Sequence, residues 1–188
     1  LAKKLRMAGP GANLASRVVG FIHTMGPGGR PRRPYPPSAR QPVFAVGPLE
    51  WSPDSSQIAF AASCPRERVM PGEALFNTDV ALLNLKTGRY RVLTKTADCS
   101  LPRFSPDGKN LLFQRRWEQG GQLWMVPVEC GKPRRISQRM CPKTPGYSSW
   151  SPHGDEIAMV DLGERHLFGL HTDTLWVIPV AGGKERQI

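Results

Sequence analysis

The feature that most narrows what this chain can become is an internal repeat. Three segments align: Trp51-Ser52-Pro53-Asp54, Phe104-Ser105-Pro106-Asp107-Gly108 and Trp150-Ser151-Pro152-His153-Gly154. Each is followed by a short apolar run, Ile58-Ala59-Phe60, Leu111-Leu112-Phe113 and Ile157-Ala158-Met159. The anchoring aromatics stand 53 and 46 residues apart. The downstream halves repeat as well. Asp79–Leu85, Gln122–Val128 and Thr174–Val180 align, each is followed by a glycine-containing turn, and each turn leads into a polar-apolar run (Tyr90–Thr94, Arg134–Ser137, Arg186–Ile188).

Physical chemistry turns this pattern into strands. Proline presets φ for the second turn position, Ser and Asp bond the local backbone, and Gly accepts positive φ, so Ser-Pro-Asp-Gly reads as a tight turn. The glycine turns suit hairpins. Each unit therefore reads as four short antiparallel strands, a to d, with strand a ending in the aromatic. Four strands in about 45–55 residues, repeated, is the pattern of propeller blades. No unit holds an amphipathic helix of useful length, which excludes helical solenoids. The expected fold is all-β: a partial β-propeller of about three blades, 49–94, 102–137 and 148–188, within a unit spanning 41–188. Gln41–Val46 reads as a candidate extra strand, the d strand of a preceding blade.

The first 40 residues are different in kind. They carry Lys3, Lys4, Arg6, Arg17, Arg30, Arg32, Arg33 and Arg40 with no acid, and six Gly and six Pro. This accounts for +8 of the chain's formal +11, leaving +3 for residues 41–188. Such a stretch is expected to be a disordered basic linker, because it has little apolar area to offset the entropy of ordering. Nucleic-acid binding through this tail is disfavoured, since a basic low-complexity segment carries no readout geometry. Val18-Val19-Gly20-Phe21-Ile22 is shorter than the apolar core of about 7–15 residues in a secretory signal. No apolar run approaches the ~20 residues of a membrane-spanning helix.

At the Ser-Pro-Asp-Gly segments and the glycine hairpins the chain resembles the TolB-type six-bladed β-propeller family, over about residues 49–188. Two positions depart from the pattern: Ser55 stands for the turn glycine in the first unit, and His153 for the aspartate in the third. Both are expected to weaken their turns slightly. Three units do not make a ring, so the expectation is a piece of a larger propeller, needing further blades or a second copy to close. The resemblance implies a protein-interaction role in the bacterial envelope.

Catalytic constellations are missing. Gly146-Tyr147-Ser148-Ser149-Trp150 fails the nucleophile-elbow pattern at its last position, and Gly131-Lys132-Pro133 is no phosphate loop. Cys64, Cys99, Cys130 and Cys141 lack metal-ligand spacing, and His166 and His171 lack a third ligand. No cofactor or metal is expected. Asp54 and Asp107 belong to turns of different blades, which argues against a paired acid-base role. Trp124 and Trp176 occupy equivalent strand-c positions and read as inter-blade packing. Cys64, Cys99 and Cys141 fall on one rim, so a Cys64–Cys99 or Cys99–Cys141 disulfide is weighed equally against four reduced thiols.

The rim bearing the b–c loops is the expected working surface, because variable loops on a rigid scaffold are where binding concentrates. Its candidate residues are Arg66, Arg68, Arg115, Arg116, Trp117, Arg165, His166 and Phe168, with Arg and Trp being favoured interface anchors. The expected function is a non-catalytic module binding a protein or peptide. The alternative is the gating propeller of a prolyl-oligopeptidase-like serine peptidase whose hydrolase domain lies elsewhere.

Overall fold

The computed structural model describes residues 45–63, 78–117, 120–141, 145–161 and 173–188. The basic leader 1–40 lies outside them. Twelve strands run in chain order: β1 (Ala45–Trp51), β2 (Gln57–Ser63), β3 (Thr78–Asn84), β4 (Tyr90–Val92), β5 (Cys99–Phe104), β6 (Asn110–Trp117), β7 (Gly120–Pro127), β8 (Arg134–Arg135), β9 (Pro145–Trp150), β10 (Glu156–Asp161), β11 (Thr174–Pro179) and β12 (Arg186–Gln187). They form three four-stranded sheets in sequential order, β1 to β4, β5 to β8 and β9 to β12. All their pairings are antiparallel. These sheets are the three blades, and no helix occurs among the described residues. One expectation changes: Ala45 and Val46 are not a separate strand but the start of β1, paired with Ala62 and Ala61.

The a–b turns show why the repeat looks as it does. In the first two, the serine hydroxyl donates to the aspartate two residues on, Ser52 to Asp54 and Ser105 to Asp107, both at 2.6 Å. The same serine oxygen accepts the amide that opens strand b, Gln57 at 2.9 Å and Asn110 at 3.0 Å. In the third turn His153 cannot take the aspartate's part. Asp155 does so instead, accepting from the Ser151 hydroxyl at 2.7 Å, while the Glu156 amide still donates to Ser151. The missing aspartate is therefore compensated two residues later. The turns also stack between blades. A Cβ on Gly108 would lie 3.5 Å from Pro53 Cδ, and one on Gly154 would lie 3.5 Å from Pro106 Cδ.

Strand alternation divides the apolar side chains between two inter-blade cores. Ala59, Val80 and Leu82 of the first blade meet Cys99, Phe104, Leu111 and Phe113 of the second. Leu112, Leu123, Met125 and Ile136 of the second meet Ile157, Met159 and Ile178 of the third. Trp124 and Trp176 pack against these two cores, as their equivalent positions led one to expect.

Candidate interaction surface

The loop rim is held by two ion pairs that the sequence did not disclose. Arg115, at the rim end of β6, forks onto Asp98 in the link from β4 to β5, with Nη2 2.7 Å from Oδ2 and Nε 3.1 Å from Oδ1. Its guanidinium carbon sits 4.7 Å from the Trp124 ring centroid. At the next junction the charges are exchanged. Arg139, in the link from β8 to β9, places Nε 2.7 Å from Oδ2 of Asp161, at the rim end of β10. Arg139 lies 4.3 Å over the Trp176 ring. Register makes Arg115 and Asp161 equivalent, because Phe113 opposes Trp124 as Met159 opposes Trp176, while Arg139 stands two residues before Cys141, the counterpart of Asp98. Each pair thus ties an inter-blade link to the following blade and adds a cation–π contact.

A second clamp lies in the first blade's d–a link. Buried Asp79 accepts from the Thr94 hydroxyl at 2.7 Å and from the amides of Thr96 and Ala97 at 2.9 and 3.0 Å. A carboxylate so engaged fixes backbone that would otherwise lack partners.

The outer edge carries another repeated device. Arg91, Arg134 and Arg186 oppose Leu82, Met125 and Val177, so they are equivalent residues of strand d. Arg91 donates to the carbonyls of Val128 and Glu129 in the second blade. Arg134 donates to the Val180 carbonyl in the third at 3.2 Å. Arg186 instead pairs with Glu156 of its own blade at 3.1 Å. Beside it the outward face of the third blade exposes Leu175 by 41% and Tyr147 by 76%. A cleft of about 510 Å³ runs from this face to the inner strands, bounded by Glu50, Arg103, Tyr147, Trp150, Ala158 and Leu175. The Arg103–Glu50 pair, at 2.6 Å, bridges the inner strands of the first two blades there.

Of the eight rim candidates, the structure describes three in succession at the end of β6. Arg115 is turned inward onto Asp98 and Trp124. Arg116 is exposed on the surface, and Trp117 closes the strand. Arg66, Arg68, Arg165, His166 and Phe168 lie outside the described residues. Sequence reasoning missed Asp98, Arg139 and Asp161, since exchanged charges leave no identity in aligned repeats. The strand-d arginines, by contrast, were visible in that alignment.

The proposed Cys99–Cys141 disulfide does not form, and Cys64, the other proposed partner of Cys99, lies outside the described residues. Cys99 and Cys141 are free, buried thiols in different inter-blade cores, and Cys130 is exposed. Burial pushes the Cys99 thiol up to about 12. Burial, with the nearby Asp161 charge adding to it, pushes Cys141 up to about 12 also. Thiols in such surroundings are poor nucleophiles. Among the described residues no three His, Cys, Asp or Glu converge as a metal-holding group.

No family model matches the sequence. The chain is 25% identical over 159 residues to a dipeptidyl-peptidase 5 of Porphyromonas gingivalis, covering 79% of this chain and 21% of that protein. It is 28% identical over 125 residues to an uncharacterized peptidase, YuxL, of Bacillus subtilis, covering 65% of this chain and 18% of that one. The chain thus spans about a fifth of the length of these curated relatives. Among solved structures it resembles TolB from Acinetobacter baumannii with a TM-score of 0.56 at 20% identity, over 76% of this chain and 32% of that one. Three sequential four-stranded blades, latched edge to edge and matched to that structure, give the chain the fold of a partial β-propeller, similar to that of TolB.

Proposed function

We propose that the chain is a non-catalytic propeller module that docks a protein or peptide. The observation that carries this reading is where the reactive side chains are spent. Asp54, Asp107 and Asp155 hold turns. Asp79 holds a link, and Asp98 and Asp161 hold blades together. Cys99 and Cys141 are buried in cores. The scaffold is thereby stiffened, and a stiff scaffold is what variable rim loops need for recognition. The rim of Arg66, Arg68, Arg116, Trp117, Arg165, His166 and Phe168 is the proposed docking surface, with Arg115 supporting it through Asp98. The third blade's open face offers a further apolar patch for the same purpose.

A second reading is favoured by one observation, the peptidase names of the two curated relatives. On that reading the chain is the propeller portion of a serine peptidase and controls access to a hydrolase domain. Two measurements separate these readings. Partner capture on the immobilised chain, compared with Arg116→Ala and Trp117→Ala variants, tests the rim; unchanged capture rejects it. Coding sequence downstream of Ile188 that supplies a nucleophile elbow would favour the peptidase reading. Hydrolysis of fluorogenic peptides by the 188-residue chain itself would overturn the non-catalytic one.

A further inference from the structure

On the inner strands one register position changes character from blade to blade. Glu50, Arg103 and Ser149 each precede the anchoring aromatic, and they oppose Ala59, Leu112 and Ala158 of the second strand. An acid, a base and a hydroxyl thus occupy one site of the repeat, so the blade fold does not dictate which stands there. The strand pairing is also irregular just upstream of two of them, between Val46 and Glu50 and between Ser100 and Arg103. Bulges of this kind re-aim side chains and concentrate beside functional sites.

The ion pair that results is incompletely used. Arg103 meets Glu50 through Nη1 alone, 2.6 Å from Oε2, with the side chains 31% and 29% exposed. Among the described residues no other hydrogen bond engages either side chain. Arg115 makes the contrast plain, since it spends both Nε and Nη2 on Asp98. In Arg103 that same Nε–Nη2 fork stays uncommitted, and so does Oε1 of Glu50. The Trp150 indole donates to the Arg103 main-chain carbonyl at 3.4 Å, which ties the arginine's strand to the third blade. Both charged residues line the 510 Å³ cleft, whose remaining wall includes Tyr147, Trp150 and Leu175.

These groups select a ligand by chemistry. A planar guanidinium fork matches a carboxylate, with two parallel charge-assisted hydrogen bonds. The adjacent Glu50 oxygen accepts an N–H, and Arg103 Nη1 keeps that acid neutralised. A donor fork beside an acceptor fits a carboxylate and an N–H carried on the same carbon, as in the last residue of a peptide. The aromatic and aliphatic wall suits an apolar side chain on that residue. The cleft volume falls within the range of about 300–1,000 Å³ that takes ligands larger than one amino acid. We propose that this cleft binds the free C-terminus of a peptide ending in an apolar residue, with Arg103 holding its carboxylate and Glu50 its last amide. The site lies on the inner strands and goes beyond the rim reading, which stands or falls by its own test.

The test uses the full 188-residue chain and the peptide Gly-Ser-Gly-Ser-Gly-Phe with a fluorophore at its N-terminus, read by fluorescence anisotropy. The free acid should bind, and its C-terminal amide should bind about tenfold or more weakly, the loss expected for a forked charge-assisted contact. Arg103→Gln should weaken the free acid to the level of the amide and leave the amide unchanged. Tyr147→Ala should weaken the free acid several-fold. Arg135→Gln, which removes an equal charge from an exposed position, should change neither. The acid–amide comparison on the parent chain keeps the proposal falsifiable if Arg103→Gln fails to fold. Equal binding of acid and amide would overturn it, as would no binding up to about 1 mM. So would competition by free phenylalanine as strong as by the peptide, which would make the ligand a free amino acid. Equal binding of an amidated peptide with an internal Asp would overturn it too, by assigning the fork to side-chain carboxylates.

Discussion

At one position in the first a–b turn, Ser55 adopts a φ of 60°, where Gly108 and Gly154 adopt 70° and 76° in the other two blades. The left-handed region costs a residue with a Cβ about 1 kcal/mol or more, whereas glycine enters it freely. Ser55→Gly should therefore stabilise the chain by about 0.5–1 kcal/mol, read as a higher urea midpoint at unchanged slope. The carboxylates of the same turns give a pH signature. The Ser52 hydroxyl, followed by Ser56, draws Asp54 down from 3.8 to about 2. Ser105 lowers Asp107 and Ser151 lowers Asp155 in the same way. A carboxyl with a lowered folded pKa contributes stability above its ordinary value and loses it as pH falls toward the folded value. Thermal stability should thus fall below about pH 4, and Asp107→Asn should flatten that part of the profile. The thiols make a third residue-scale case. Pulse alkylation with peptide mapping should modify Cys130 quickly and leave Cys99 and Cys141 unmodified until the protein unfolds.

The elements are joined by contacts of two kinds, and they differ in how they can be read. Arg91 and Arg134 use one residue type at one register position to reach the next blade's carbonyls, so the repeat itself displays them. Asp98–Arg115 and Asp161–Arg139 place opposite charges at the equivalent positions 115 and 161, with their partners two residues out of step, so the repeat hides them. Arg115→Ala should cost about 1–3 kcal/mol, because it leaves Asp98 largely buried without its partner. Pairing Asp98→Arg with Arg115→Asp exchanges the charges, giving the sense found at the neighbouring junction. That double variant should recover on the order of 1 kcal/mol relative to the sum of the single ones, as a double-mutant cycle in denaturant would report. Additive losses would mean that the two junctions are not interchangeable.

For the whole molecule, the controlling quantity is the apolar area left at the ends of the blade stack. The third blade presents Leu175 and Tyr147 beside Arg186, whose two equivalents each bind a following blade. Exposed apolar patches of this kind drive association. Leu175→Glu should lower concentration-dependent light scattering without changing far-UV circular dichroism. The variant alters a solvent-facing position, so the blade itself should fold normally. A similar degree of scattering would place the associating surface elsewhere.

Fold class and blade order were legible in the sequence because turns and strand alternation are local. Ser-Pro-Asp-Gly, the glycine hairpins and the spacing of Trp51, Phe104 and Trp150 each act within a few residues, and they recur three times. What supports the rim was not legible. Arg115 has the same local sequence character whether it projects into solvent or folds back onto Asp98, 17 residues away. Cys99 and Cys141 shared a rim in the linear reading, yet they sit in different inter-blade cores. The sequence by itself determined the strands, their turns and their number. Only the tertiary structure decided which charges are structural, which thiols are sealed and which outward face stays open. Those outcomes depend on how one blade packs against the next, and packing partners distant along the chain leave no periodic trace in it.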